Sequence, residues 1–195
     1  MSREQESLQH FGHGITDIDT KELIEIASGE VVTSSILSIR KGEKGQPGEI
    51  KGSIKNSTKI GKLSNNTEFG IYGKITNIDR LNIDTSNALD VALRDEITLG
   101  PAKIILNIED NIRKEYDIEI IRIYKGNNND NKSMLVRVTD ERLLELTGGI
   151  IQGMSGAPVI QNGKFIGAIT HVLVNDPKQG YAVFGDLMIK QSREI

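Results

Sequence analysis

Apolar positions in this chain recur in short runs with a period near two, not in long stripes with a period near four. The clearest case is Lys114-Glu115-Tyr116-Asp117-Ile118-Glu119-Ile120-Ile121-Arg122-Ile123, where apolar and polar residues largely alternate. A strand with one face on a core and the other in water reads this way. Shorter segments of strand-like texture lie at 23–27, 29–39, 49–54, 70–75, 102–108 and 165–174. Turn-forming stretches separate them, notably 40–48 and 126–132, both too polar and glycine- or asparagine-rich to be packed. The pattern predicts an all-β protein with few short helices. One helix is expected within 139–149, where Thr139, Asp140 and Glu141 precede Leu143 and Leu144 and two glycines follow. Strand-like sequence resumes on both sides of each polar loop, so residues 1–195 read as one domain.

Composition narrows this picture. A chain of 195 residues can bury one substantial core, or form two small barrels that share an interface. Cysteine is absent, which excludes disulfides and thiolate metal sites. A formal net charge of -3, with no basic block among aromatics, gives no reason to expect nucleic acid or an anionic membrane as partner. The longest apolar runs, such as Ile104-Ile105-Leu106, fall far short of the ~20 residues that cross a bilayer, so no direct membrane insertion is expected. The polar start, Met1-Ser2-Arg3-Glu4-Gln5-Glu6-Ser7, is no secretory signal. With a candidate histidine so soon after it, the expectation is a soluble domain cut from a longer precursor.

The stretch with most chemistry is Gly148-Gly149-Ile150-Ile151-Gln152-Gly153-Met154-Ser155-Gly156-Ala157-Pro158. A nucleophilic serine needs its hydroxyl pushed out of a tight turn, beside backbone N–H groups that can receive an oxyanion, and flanking glycines permit both. The same letters also suit an ordinary hairpin turn. A base is needed as well, and the chain offers His10, His13 and His171. His13 stands between Gly12 and Gly14. His171 lies in a strand soon after the serine turn, as a second choice for the base. If that strand borders a cleft, Ile169, Thr170 and His171 are candidates to receive a substrate backbone as an added strand. Asp140, Asp17, Asp19 and Asp176 are the available acids, and first-turn helix capping explains Asp140 equally well. The residues alone leave open a serine hydrolase, a non-catalytic β-barrel module that captures an extended peptide along 166–174, and a weaker metal site on His10 and His13.

Gly12-His13-Gly14-Ile15-x-Asp17, then Thr139-Asp140-x-x-Leu143-Leu144-x-x-Thr147-Gly148-Gly149-Ile150-x-Gln152-Gly153-Met154-Ser155-Gly156, then Gly167-Ala168-x-Thr170-His171-Val172-x-Val174-Asn175-Asp176-Pro177 closely resemble the SpoIVB peptidase family. These are the stage IV sporulation serine proteases of endospore formers. The resemblance implies a trypsin-like double β-barrel endopeptidase without metal or organic cofactor. His13 would be the base, Asp140 the orienting acid and Ser155 the nucleophile, with the N–H groups of Gly153 and Ser155 as oxyanion hole. Two residues depart from pattern: Ala157 replaces a serine usual in the family, and Met154 replaces the aspartate of digestive proteases. Activation by pairing a new N-terminus with that aspartate is therefore not expected. The resemblance further implies a parent protein with a membrane anchor and a PDZ domain, both outside this chain. Such a parent is exported from the forespore into the space between its two membranes. Its expected partner is a membrane-bound regulatory subunit, whose cleavage releases an intramembrane metalloprotease to process the late mother-cell sigma factor. Self-cleavage is also implied.

Overall fold

The computed structural model describes residues 7–10, 13–17, 19–20, 22–54, 57–77, 88–109, 112–124 and 131–193. The first half contributes β1 (Ser7–His10), β2 (Gly29–Val32), β3 (Ser35–Arg40), β4 (Glu49–Ser53), β5 (Lys59–Thr67) and β6 (Gly70–Ile75). The second contributes β7 (Gly100–Glu109), β8 (Ile112–Ile123), β9 (Met134–Val138), α1 (Glu141–Thr147), β10 (Pro158–Gln161), β11 (Lys164–Val172), β12 (Gln179–Phe184) and α2 (Gly185–Arg193). The all-β expectation holds, with two short helices.

The second half closes into a six-stranded antiparallel barrel, ordered β10-β11-β12-β9-β8-β7, with β7 and β10 sealing it through Val159 opposite Ile104. Closure follows from the alternation seen in the sequence: Tyr116, Ile118 and Ile120 of β8 are buried while Glu115 and Asp117 face water. Met134, Val136 and Val159 fill the interior from neighbouring strands, all 0 % exposed. Each such side chain contributes roughly 1.5–3 kcal/mol through burial. The first half forms the four-stranded sheet β1-β6-β5-β2 and the separate hairpin β3-β4. Helix α2 packs on β11 and β12 and reaches β1, and the Tyr72 hydroxyl of β6 donates to the Met188 carbonyl at 3.2 Å.

Two local expectations change. The segment 29–39 is two strands, because the chain leaves one sheet at Thr33, which exchanges hydrogen bonds with Thr58 (2.9 and 2.8 Å), and enters another. The segment 23–27 forms only an isolated bridge, Leu23 to Thr16. Strand β5 is polar along Ser64-Asn65-Asn66 and helix α2 carries few apolar residues, so neither stood out in the sequence. Part of the predicted loop 126–132 lies outside the described residues.

Candidate active site

Ser155 sits on the turn between α1 and β10, and the chain on both sides is tied down. Gly156 N–H donates to Ile169 O (2.8 Å), and Ile169 N–H donates to Ala157 O (2.9 Å), which clamps the turn to β11. Met154 is 1 % exposed and anchors the turn in the core, a position where the aspartate of digestive proteases would be buried. Gly153 has φ 98°, a conformation that a residue with a Cβ adopts only with strain. Among the described residues, the N–H groups of Met154, Gly156 and Ala157 are spent on backbone acceptors, whereas those of Gly153 and Ser155 have no backbone acceptor.

His13 reaches this turn from the opposite end of the sequence. Its segment is held by Asn66 on β5, whose side chain accepts from Ile15 N–H (2.9 Å) and donates to the Ile15 and Ile24 carbonyls (2.7 and 2.9 Å). The ring then places Nε2 2.9 Å from Ser155 Oγ and Nδ1 2.8 Å from Gly14 O. A carbonyl can only accept, so Nδ1 carries the hydrogen in neutral His13 and Nε2 presents its lone pair to the serine. The Ser155 hydroxyl also lies 2.9 Å from the Thr170 carbonyl, so its proton has two acceptors. This arrangement suits general-base removal of that proton.

The other candidates separate. His171 lies in the same cleft with its ring centroid 5.0 Å from that of His13. His171 is an exposed residue, yet its surroundings desolvate the ring, and this, with repulsion from His13 and Lys132, brings its pKa down to about 4. His171 is therefore neutral at pH 7 and adds no charge beside the base. Thr170 holds the chain before β9 by donating its hydroxyl to Asn131 O at 2.8 Å. Ile169 lines the cleft and has both backbone groups engaged within the chain, so it has none left for an added strand. The His10 side chain lies outside the description, and no group of three or more metal-ligating residues occurs among the described residues.

Asp140 is not brought to the His13–Ser155 pair. It caps α1, accepting from the N–H groups of Arg142 and Leu143, and its second oxygen accepts from Asp117 N–H on β8. The Arg142 guanidinium pairs with both carboxylate oxygens (3.0 and 2.7 Å). That hydrogen bonding, helped by the backbone donors against the opposing effect of burial, brings the carboxyl pKa down to about 2 from 3.8. Asp140 thus lies on the β8–β9 side of the barrel, whereas Ser155 is clamped to β11, with β12 between. The local sequence favours this outcome, since aspartate before a helix finds unpaired N–H groups at once. Asparagine caps equally well, so Asp140→Asn is expected to retain activity within about tenfold, while Asp140→Ala loses about 1 kcal/mol of stability. Peptidase assays and denaturant melts on the two variants check this. A loss near 10⁴-fold in the asparagine variant would restore Asp140 as the group that orients His13.

A further positioning contact was not foreseen, although its strands lie largely within the segments 29–39 and 49–54 expected from the sequence. Hairpin β3-β4 brackets Gln152 by backbone hydrogen bonds, Gln152 N–H to Gly48 O (3.0 Å) and Ile50 N–H to Gln152 O (2.8 Å). A Cβ on Gly153 would stand 3.0 Å from Ile50 Cβ, so Ile50 rests directly against the turn that presents the Gly153 N–H. Ile50→Ala should lower kcat on the order of tenfold with KM little changed, because a loosened donor weakens transition-state binding selectively. Steady-state kinetics at several substrate concentrations separate the two constants.

The cleft at the pair has a volume of about 400 Å³, and Ile150, Ile151, Ile169 and Val172 line it together with His13, Ser155 and His171. No described helix is long and apolar enough to cross a membrane. Among solved structures, the inactive form of Rv3671c protease is 12% identical, with TM-score 0.48 over 76% of this chain and 72% of that one. The active form of the same protease, from M. tuberculosis, is 13% identical, with TM-score 0.46 over 85% and 80%. The HtrA-type protease AlgW with decapeptide is 12% identical, with TM-score 0.48 over 86% and 63%. No curated protein matches the sequence. The model of SpoIVB peptidase S55 matches residues 1–189, so that the His13 segment and the Ser155 turn fall within a single match, and the chain belongs to this family of serine peptidases.

Proposed function

We propose that this protein is a serine endopeptidase in which His13 takes the proton from Ser155 as the hydroxyl attacks a peptide carbonyl. The tetrahedral oxyanion is received by the N–H groups of Gly153 and Ser155. His13 then returns the proton to the leaving amine, and the same ring activates water to hydrolyse the acyl-enzyme. The observation that carries this reading is the 2.9 Å separation of His13 Nε2 and Ser155 Oγ, from residues 142 positions apart. Chance contact of a lone histidine with a surface serine would not also fix the tautomer through Gly14 O. A peptide-binding module that never cleaves leaves the pairing without a purpose.

Family membership supports a role in sporulation signalling. The substrate in this proposal is a membrane-bound regulatory subunit of an intramembrane metalloprotease complex, met in the space between the forespore membranes by an anchored parent protein. Self-cleavage is the second expected reaction. The test is covalent labelling with a fluorophosphonate, with the adduct located by mass spectrometry. A label on Ser155 that disappears in His13→Ala supports the mechanism, and labelling elsewhere or undiminished labelling in that variant overturns it. Slow fragmentation of the wild-type chain that is absent from Ser155→Ala reports self-cleavage.

A further inference from the structure

A second groove, of about 380 Å³, lies between the segment 89–93 and α2 and shares no lining residue with the cleft at Ser155. The segment is held to the start of β11 by Phe165, whose N–H donates to Asp90 O (2.8 Å) and whose carbonyl accepts from Ala92 N–H (2.9 Å). In such a parallel bridge the N–H and carbonyl of the middle residue, Val91, are directed away from β11, and neither has a hydrogen-bond partner among the described residues. Leu89, Val91 and Leu93 alternate along the segment and are exposed, Leu93 by 65 %, while Ala92 is buried. Single exposed leucines are ordinary, but alternate residues of an extended segment share a side, and here that side adjoins a groove. From α2, Ile189, Lys190 and Arg193 complete the lining with Asp186. Arg94 already pairs with Asp186 (2.6 Å), whereas Lys190 and Arg193 are exposed and have no carboxylate partner among the described residues. An open strand edge, apolar side chains and unbalanced positive charge thus meet in one place.

We propose that this groove docks an extended acidic segment of a protein partner. The segment adds as a strand at Val91, lays an apolar side chain against Val91, Leu93 and Ile189, and brings carboxylates to Lys190 and Arg193. An anionic lipid headgroup could meet the two cations but has no backbone with which to pair Val91, so the free strand edge favours a peptide. The groove and the cleft stand toward opposite ends of β11, with Phe165 at one and Thr170 to Val172 at the other. At the rise of an extended strand, Phe165 and Thr170 are roughly 17 Å apart. A docked segment therefore leaves Ser155 open, and docking does not depend on the chemistry there.

The probe is a fluorescein-labelled octapeptide of alternating valine and aspartate, read by fluorescence anisotropy. The protein is the whole chain with Ser155→Ala, so that no peptide is consumed. Saturable binding is expected, and adding Lys190→Glu and Arg193→Glu should weaken it at least about tenfold, less so at high salt. Leu93→Asp should weaken it by about tenfold as well. All three side chains are exposed, so the fold should be kept, and thermal melts check this. A probe N-methylated at its central valines should bind about fivefold more weakly, because the strand hydrogen bonds are lost. Equal affinity for a probe with lysine in place of aspartate, unchanged affinity in the groove variants, or no saturable binding at about 1 mM overturns the docking site. Two further results overturn it by naming another occupant. Binding of phosphatidylserine vesicles instead of the probe, lost with Lys190→Glu and Arg193→Glu, makes this face a membrane contact. A dimer abolished by Leu93→Asp, in a chain that ignores the probe, makes it a contact between copies.

Discussion

Replacing Ser155 with alanine should reduce kcat on the order of 10⁶-fold while leaving the fold in place. The hydroxyl is the atom that forms the covalent bond, so no neighbouring group can take over its step. Its structural contribution is small by comparison. The side chain is only half-buried, and its contacts are the His13 ring and the Thr170 carbonyl. Losing them costs about 1 kcal/mol or less, because water can enter the open cleft and serve the freed carbonyl. The measurement is single-turnover cleavage of a peptide beside a thermal melt. Retained turnover in a variant of unchanged melting temperature would remove Ser155 from the mechanism.

His13→Ala should be nearly as severe, and for a related reason. Without a base the serine proton must leave to water, and without an acid the departing amine must leave as an anion. The two losses should not add: the double variant Ser155→Ala/His13→Ala is expected to be no slower than either single variant, because the residues act as one unit. A double variant clearly slower than both would mean that His13 and Ser155 contribute through separate routes. The residual rate in all three would come from peptide binding and the N–H groups of the Gly153 turn. This makes the Ile50 contact measurable in a second background, since loosening the turn should still lower that residue of activity.

The closeness of His13 and His171 bears on the same step. A protonated His171 would repel the imidazolium that forms on His13 during attack. Desolvation of the ring, with repulsion from His13 and Lys132, holds the His171 pKa down at about 4, so this repulsion is absent at pH 7. His171 can then wall the cleft beside the base without disfavouring its charged form.

Much of the fold was legible because strand alternation is written locally. Tyr116, Ile118 and Ile120 announced both β8 and the face it buries, and Asp140 with Gly148 marked the two ends of α1 within a residue or two. Strand β5 was hidden because Ser64, Asn65 and Asn66 lack the apolar face that marks a strand, yet Asn66 is what pins the His13 segment. Ser155 and His13 were recognisable for one shared reason: each stands beside glycines that a protruding or closely packed residue requires. Asp140 could not be assigned this way. An aspartate at a helix start has a complete local use as a cap, and sequence spacing cannot say whether its carboxylate also faces a distant ring.

The sequence by itself therefore determined the strand-rich class, the serine turn with its glycines, the short helix ahead of it and the family resemblance. Each depends on backbone preferences and side-chain periodicity acting over a few residues. Only the tertiary structure decided that Nε2 of His13 meets Oγ of Ser155, that Asp140 turns to Arg142 and Asp117 instead, and that Ile50 rests against the serine turn. Those contacts join residues far apart along the chain. Which of them form is set by how the barrel closes and how the first-half sheet and hairpin pack on it, a competition among many buried surfaces that no short stretch encodes alone.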